Sequence, residues 1–513
     1  MPSSKDRGQP LTTPKGRIIM QYLSTRDHTL RFSASQAIVQ GLSRDGGLFL
    51  PESVPALKPG MLEALSVLPY TERAVRVMKL FLDEFSENEL REYAEKAYGS
   101  LKFDTPAVAP VTTLEPGLHV LELWHGPTCA FKDMALQMLP YLLTASLQKT
   151  GEEKTACILV ATSGDTGKAA LEGFRDVEHT KILVFYPKDG VSDIQKLQMV
   201  TQEGRNVGVE AVVGNFDDAQ TGVKRIFSDS ALRKELADKG YFLSSANSIN
   251  WGRVLPQIVY YISAYCDLLS SGGIRNGETV NFCVPTGNFG NILAGYYAKR
   301  MGLPVGRLIC ASNANNVLTE FIETGVYDRN RPFYTTTSPS MDILISSNLE
   351  RLLYMVSQSD EKVRGYMKSL RETGRYEVSE DIRREIQAVF ACGCCDDEGT
   401  ASTIGRVFAE KAYLLDTHTA VACTVLRQYR EKTQDRTPAI VVSTASPFKF
   451  CSSVLHALGE NRPEAGTAVI GQLAKKTGLT APVPLASLAG KSVRFTGVAE
   501  KEDMARAVAE FLK

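Results

Sequence analysis

Six short runs of this chain are apolar with little polar alternation, and each ends in small polar residues. They are His119–Trp124 (HVLELW), Cys157–Thr162 (CILVAT), Lys181–Tyr186 (KILVFY), Val280–Pro285 (VNFCVP), Leu308–Ala311 (LICA) and Ala439–Thr444 (AIVVST). Continuous apolar sequence is what a parallel strand needs when helices cover both of its faces. Segments with helical spacing lie between the runs, including Asp133–Lys149, Gly167–Arg175 and Asn291–Arg300. This repetition of strand, loop and helix predicts α/β architecture built on parallel sheets. Ligands of such sheets bind at the carboxyl ends of the strands, so chemistry is sought in those loops. Ser359–Ala388 is charged and predicts a solvated helical face, while Ser492–Lys513 predicts a strand followed by an amphipathic helix.

Composition narrows the function classes. The 513 residues carry 58 Lys+Arg against 58 Asp+Glu, a balance that argues against nucleic acid as a partner. No stretch reaches the ~20 apolar residues of a membrane span. The best candidate, Val254–Leu269, is broken by Pro256, Gln257 and Asp267. Ten cysteines are too sparse for a disulfide scaffold. Cys157 and Cys283 sit singly in apolar runs and read as core residues of a cytoplasmic protein. Cys392-Gly393-Cys394-Cys395 lacks a second ligand pair nearby, so a surface loop and no metal site are expected. The opening MPSSKDRGQPLTTPKGRII has no apolar core of a secretory signal. It is a disordered extension or a start codon placed too early, with Met20 as initiator, and the second reading is preferred.

Four strand-end loops hold candidate chemistry. The first is His125-Gly126-Pro127-Thr128-Cys129-Ala130-Phe131-Lys132-Asp133. A lone lysine is usually a surface residue, but one held at a strand-to-helix turn among apolar walls has a lowered pKa and forms a Schiff base with an aldehyde. Asp133 is placed to cap the helix, and His125 reads equally as a structural or an active-site histidine. The second loop, Ala161-Thr162-Ser163-Gly164-Asp165-Thr166-Gly167-Lys168-Ala169, resembles a nucleotide-binding P-loop only superficially. That loop needs Gly where Thr162 stands and a hydroxyl where Ala169 stands, so a kinase is excluded. What is left is a turn suited to a carboxylate or similar anion. The third, Pro285-Thr286-Gly287-Asn288-Phe289-Gly290-Asn291, is either a plain glycine turn or a cradle for a phosphate monoester. The fourth, Ser443-Thr444-Ala445-Ser446-Pro447-Phe448-Lys449-Phe450, offers a hydroxyl to a heterocyclic nitrogen. A reactive lysine, a phosphate cradle and a strand-end hydroxyl together describe a site for pyridoxal 5'-phosphate.

Longer stretches carry a family resemblance. HGPTCAFKD, ATSGDTGKAA, NSINWGR (Asn247–Arg253), PTGNFGNILAGYYAKRMGLP and SPSMDILISSNLERLL, with STRD…GLSRDGGLFLPE (Ser24–Glu52), resemble threonine synthase in its long fungal and bacterial form. The resemblance runs from about residue 20 to about residue 455. It implies a fold-type-II pyridoxal-phosphate enzyme, similar to the tryptophan synthase β-subunit, with two parallel-sheet domains and an N-terminal segment. The expected division is a disordered extension over 1–19 and an N-terminal domain over 20–110. An α/β domain with the Schiff-base lysine and substrate loop follows over 111–270. A second, with the phosphate loop and ring-nitrogen hydroxyl, spans 271–513.

By position in these stretches the resemblance makes Lys132 the catalytic, cofactor-bearing lysine. It assigns the cofactor phosphate to Gly287, Asn288, Phe289, Gly290 and Asn291, and the ring nitrogen to Thr444. Ser163, Asp165 and Thr166 are expected near the substrate carboxylate, and Asn247, Asn250 and Arg253 near the departing phosphate. The family often has Asp at position 291, and commonly Ser at 168, His at 446 and Ala at 448, where this chain has Asn291, Lys168, Ser446 and Phe448. The implied activity is that of a carbon–oxygen lyase converting O-phospho-L-homoserine and water to L-threonine and phosphate, the last step of threonine biosynthesis. The alternative is a phospho-lyase giving 2-oxobutyrate, ammonia and phosphate, which the altered Ser446/Phe448 segment keeps open. A dehydratase on free serine or threonine would need no second phosphate site. A cofactor-free binding protein would not need both Lys132 and the glycine loop. A cytoplasmic monomer without membrane or nucleic-acid partners is expected.

Overall fold

The apolar runs fold as strands of two sheets, in a computed structural model that describes residues 20–162, 164–189 and 191–513. β1 (Tyr22–Ser24), β2 (Asp27–Phe32) and β3 (Phe49–Pro51) make a small N-terminal sheet. The chain continues through β4 (Val111–Glu115), β5 (Leu118–Glu122), β6 (Thr155–Ala161), β7 (Thr180–Pro187), β8 (Val207–Val212) and β9 (Tyr241–Ser244). Then come β10 (Val280–Pro285), β11 (Val305–Ser312), the paired short strands β12 (Val326–Asp328) and β13 (Arg375–Glu377), and β14 (Phe390–Cys394). β15 (Ala439–Ser443) and β16 (Val498–Ala499) complete the set among the described residues. One sheet has the order β14-β11-β10-β15-β5-β4 and the other β16-β8-β7-β6-β9. Every pair in them is parallel except β4–β5. The protein is therefore α/β with two parallel sheets, as the unalternating runs require.

The sheets do not follow the chain order expected from sequence. β4 and β5 lie before residue 123 yet pair into the sheet of β10 and β15, and β16 returns from the C-terminus to extend the sheet of β6 and β7. Cys392, Gly393 and Cys394, expected in a surface loop, lie in β14, where Cys392 pairs with Cys310 of β11. The helix expected over Asp133–Lys149 is two, Asp133–Leu136 and Leu139–Thr150. The charged stretch after Ser359 is likewise two helices, Asp360–Thr373 and Glu380–Val389, separated by β13.

Helix Trp251–Ser270 runs through the centre and is buried around nearly its whole circumference, the pattern of a core helix. Pro256 lies inside it and removes one ladder hydrogen bond. Its partners include Arg73 of helix Tyr70–Lys79, whose guanidinium bonds Ser263 Oγ at 2.8 Å and Asp267 Oδ1 at 2.5 Å. No helix among the described residues is long and apolar enough to cross a membrane. The segment expected as an extension, 1–19, lies outside the described residues.

Candidate active site

Two strand-end loops are pinned together where β5 and β15 end. Phe131 N–H donates to Thr444 O at 2.8 Å, and Ala130 bridges Ala445. This sets Lys132 beside Thr444 at the start of helix Asp133–Leu136. The Lys132 side chain is only 11% exposed; its Nζ lies 3.3 Å from Ser340 Oγ, 3.7 Å from Asp165 Oδ2 and 4.8 Å from the centre of the Phe131 ring. Burial, opposed by Asp165 and reinforced by Lys449 and Arg253, brings its pKa down to about 8. Much of this amine is therefore neutral and nucleophilic in mildly alkaline water.

Asp133 does not cap the helix as expected. Its Oδ2 accepts the Thr128 N–H and its Oδ1 the Thr128 hydroxyl, both at 2.8 Å, so it braces the loop ahead of Lys132. A Cβ on Gly126 would stand 2.6 Å from that carboxylate. Burial pushes the Asp133 carboxyl up to about 6. His125 does not line the cavity that Lys132 lines; it bonds Glu122 at 2.8 Å and Asp104 at 2.7 Å and stacks on Trp124.

After β6, Thr162 Oγ1 accepts the N–H groups of Gly164 and Gly167, each at 2.9 Å. This winds the turn so that Asp165 opens helix Asp165–Phe174 and faces Lys132. Lys449, then Lys132 and a 2.9 Å bond from Gln195, hold the Asp165 carboxylate far below its ordinary range despite burial. Ser163 lies outside the described residues. Lys168 points elsewhere, into a buried cluster with Gln202 and Glu172.

The glycine loop after β10 closes the opposite wall. A Cβ on Gly287 would meet Ser340 O at 2.6 Å. Phe289 takes the left-handed conformation (φ 60°) and hands the chain to helix Gly290–Arg300. Asn291 Oδ1 accepts from Tyr260 and Tyr261 hydroxyls at 2.7 Å each, while its buried Nδ2 has no partner among the described residues. Lys132, Thr166, Asn247, Arg253, residues 287–291 and Thr444 line one cavity of about 2050 Å³.

Arg253 is buried, with one guanidinium bond to Ala246 O at 2.6 Å, an unpartnered Nε and no carboxylate paired with it among the described residues. Burial lowers its pKa to about 10. Asn247 also lines the cavity, with its Oδ1 unpartnered. Asn250 differs from expectation: its Oδ1 caps helix Trp251–Ser270 through the Gly252 N–H at 2.8 Å, its Nδ2 bonds Ile38 O at 3.0 Å, and it does not line the cavity.

Three residues at the site were not anticipated. Lys449 bonds Asp165 at 3.0 Å, Ser340 touches both Lys132 and Asp165, and His418 Nε2 accepts the Ser340 N–H at 3.2 Å. Asp416 orients His418 through Nδ1 at 2.9 Å. The clues were a lysine between two phenylalanines in an apolar loop, and the spacing Asp416-Thr417-His418 at a helix start.

Three family models match in sequence order. Residues 21–98 match "Threonine synthase N terminus", 105–446 "Pyridoxal-phosphate dependent enzyme" and 419–509 "Threonine synthase, C-terminal". Threonine synthase of Saccharomyces cerevisiae is 37% identical over 464 residues, covering 85% of this chain and 89% of its own. The chain belongs to the threonine synthase family. The crystal structure of pyridoxal-phosphate-bound threonine synthase from Brucella melitensis superposes with a TM-score of 0.85 at 38% identity, over 96% of this chain and 100% of that one. Human threonine synthase-like 1 is 41% identical over 435 residues, or 83% of this chain, and the chain spans 58% of that protein's length. Ser446 and Phe448, where the resemblance leads one to expect His and Ala, do not line the cavity. Ser446 Oγ accepts the Phe448 N–H at 3.3 Å, and Phe448 packs in a buried apolar cluster.

Proposed function

We propose that this chain is a threonine synthase, converting O-phospho-L-homoserine and water to L-threonine and inorganic phosphate. The observation that carries the proposal is the buried Arg253 guanidinium, which has no carboxylate partner among the described residues and shares a cavity with Lys132 and the glycine loop. A buried cation without a counter-ion is costly unless an anion arrives, and a guanidinium matches phosphate bidentately. This is the second phosphate site that the reaction needs and a dehydratase of free amino acids does not.

The residues fit pyridoxal phosphate. Lys132 supplies the amine, the Nδ2 of Asn291 an unused donor, and bare Gly287 a surface that a Cβ would fill. When bound, the cofactor supplies an aldehyde for amine capture and a ring that accepts the electron pair of a broken Cα–H bond. The N–H groups opening helix Gly290–Arg300, with residues 287–291, would hold its phosphate. Thr444 would face the ring nitrogen with a neutral hydroxyl. Lys132 Nζ takes the substrate's α-proton and returns it at the end, a task suited to a pKa of about 8. Arg253, aided by Asn247, holds the departing phosphate. Of the residues that the family pattern assigns to the substrate carboxylate, Ser163, Asp165 and Thr166, Thr166 lines the cavity and would bond it, while Asp165 faces Lys132 at 3.7 Å. Asn250 serves by capping the helix that carries Arg253. The proposal includes a monomer in the cytoplasm.

Incubation of the purified protein with O-phospho-L-homoserine decides the matter: threonine and phosphate in equal amounts are expected. Phosphate released with 2-oxobutyrate and ammonia, and without threonine, would reject the assignment in favour of the phospho-lyase.

A further inference from the structure

A second lysine lies against the catalytic one without reaching the cavity. Lys449, in the turn Pro447–Lys449, has a side chain that is 0% exposed. Its three N–H groups meet three acceptors: Asp165 Oδ1 at 3.0 Å, Thr128 O at 2.9 Å and Gln198 Oε1 at 2.9 Å. Asp165 Oδ1 also receives the Gln195 amide at 2.9 Å, so only Oδ2 is left to face Ser340 Oγ at 3.4 Å and Lys132 at 3.7 Å. Lys449 is thus the nearer of the two cations to Asp165. Were Lys132 its only counter-ion, this buried carboxylate would hold Lys132 as an ammonium, the form that cannot attack an aldehyde. With the carboxylate already neutralised, Lys132 gains little by staying charged and is repelled by the second cation.

We propose that Lys449 is a positioning residue: it neutralises and orients Asp165 so that this carboxylate does not trap Lys132 in an ion pair. The proposal rests on Lys132 being the amine that takes up the cofactor. The other charges around the trio come from four directions. Arg253 adds repulsion from helix Trp251–Ser270, and the Cys129 thiol and Asp133 face Lys449 from the segment on either side of Lys132. The pair Lys168–Glu172 lies along helix Asp165–Phe174, and His418 with Asp416 acts through Ser340. None of these replaces Lys449 on Asp165 Oδ1. The lowered pKa of Lys132 agrees with this arrangement.

The test follows cofactor capture rather than turnover. The full chain, stripped of cofactor, is mixed with excess pyridoxal phosphate, and the growth of the visible band is timed as a function of pH. Lys449→Gln is expected to move the midpoint of the profile up by about one pH unit, making capture about tenfold slower below it. Lys449→Arg should leave the midpoint near the wild-type value. Asp165→Asn should move it down, because the repelling Lys449 is kept and the attracting carboxylate is gone. An unmoved midpoint in Lys449→Gln overturns the proposal, and if that variant does not fold, an unmoved or raised midpoint in Asp165→Asn overturns it instead. A wild-type chain that gains no band overturns the assignment of Lys132 as well, which separates the two failures.

Discussion

Replacing Arg253 by Met should strengthen the fold while removing substrate binding. The guanidinium is buried, with a single backbone bond, and its pKa falls from the ordinary 12.5 to about 10. That fall corresponds to about 3 kcal/mol against the charged form. The folded-state pKa lies below the unfolded one, so the penalty applies in full at every pH below about 10 and is relieved only as pH rises through that value. Met is close in shape and carries no charge, but its introduction forfeits the bond to Ala246 O, worth about 1–1.5 kcal/mol. The net expectation is a gain of about 1–2 kcal/mol, a rise in Tm of a few degrees. Phosphate acts in the opposite sense. Added to the cofactor-loaded protein, whose glycine loop is already filled, inorganic phosphate at 100 times its Kd should stabilise wild type by about 2.7 kcal/mol and leave Arg253→Met unmoved. In turnover the variant should lose about 30-fold or more in kcat/KM, because truncating a buried charge partner costs about 2–5 kcal/mol. Thermal unfolding with and without phosphate is the assay. A variant that melts several degrees below wild type and still gains from phosphate would refute the reasoning.

Three other substitutions test separate walls of the site. Gly287→Ala drives a methyl to 2.6 Å from Ser340 O; overpacking of about 1–3 kcal/mol should weaken cofactor affinity by about 5- to 150-fold, read by titrating the visible band. Asn250→Ala should cost about 1 kcal/mol as a lost helix cap, with KM for O-phospho-L-homoserine unchanged; a large rise in KM would return Asn250 to the substrate site. Bonds to Glu122 and Asp104 outweigh burial and raise the His125 pKa above the ordinary 6.5. A raised folded-state pKa gives stability that is complete below about pH 6.5 and lost as pH rises through the folded value. The destabilisation caused by His125→Asn, measured by urea unfolding, should therefore be larger at pH 6 than at pH 9.

What the sequence disclosed follows from how local each signal is. The six apolar runs became β5, β6, β7, β10, β11 and β15 because burial on both faces leaves a continuous hydrophobic string. β14 escaped notice because Phe390–Cys394 (FACGC) is short and contains a glycine. β9 escaped because Tyr241–Phe242–Leu243 is only half buried. Lys132, the glycine loop and Thr444 were legible as strand-end loops whose combined chemistry suits one cofactor, and the family resemblance then gave each a role. An asparagine at a helix start looks the same as a ligand and as a cap, and for Asn250 the cap became visible only with the Gly252 N–H on its Oδ1. The roles of Lys449, Ser340 and His418 depend on contacts across more than 70 residues of chain; Phe448-Lys449-Phe450 and Asp416-Thr417-His418 mark two of these residues locally but do not name their partners.

The central claim is that one particular amine carries the cofactor. Borohydride reduction of the pyridoxal-phosphate-loaded protein, followed by proteolysis and mass mapping, reads that amine directly. The expected result is a single stoichiometric label on Lys132. A label on Lys449, on Lys168 or on no lysine at all would contradict the account.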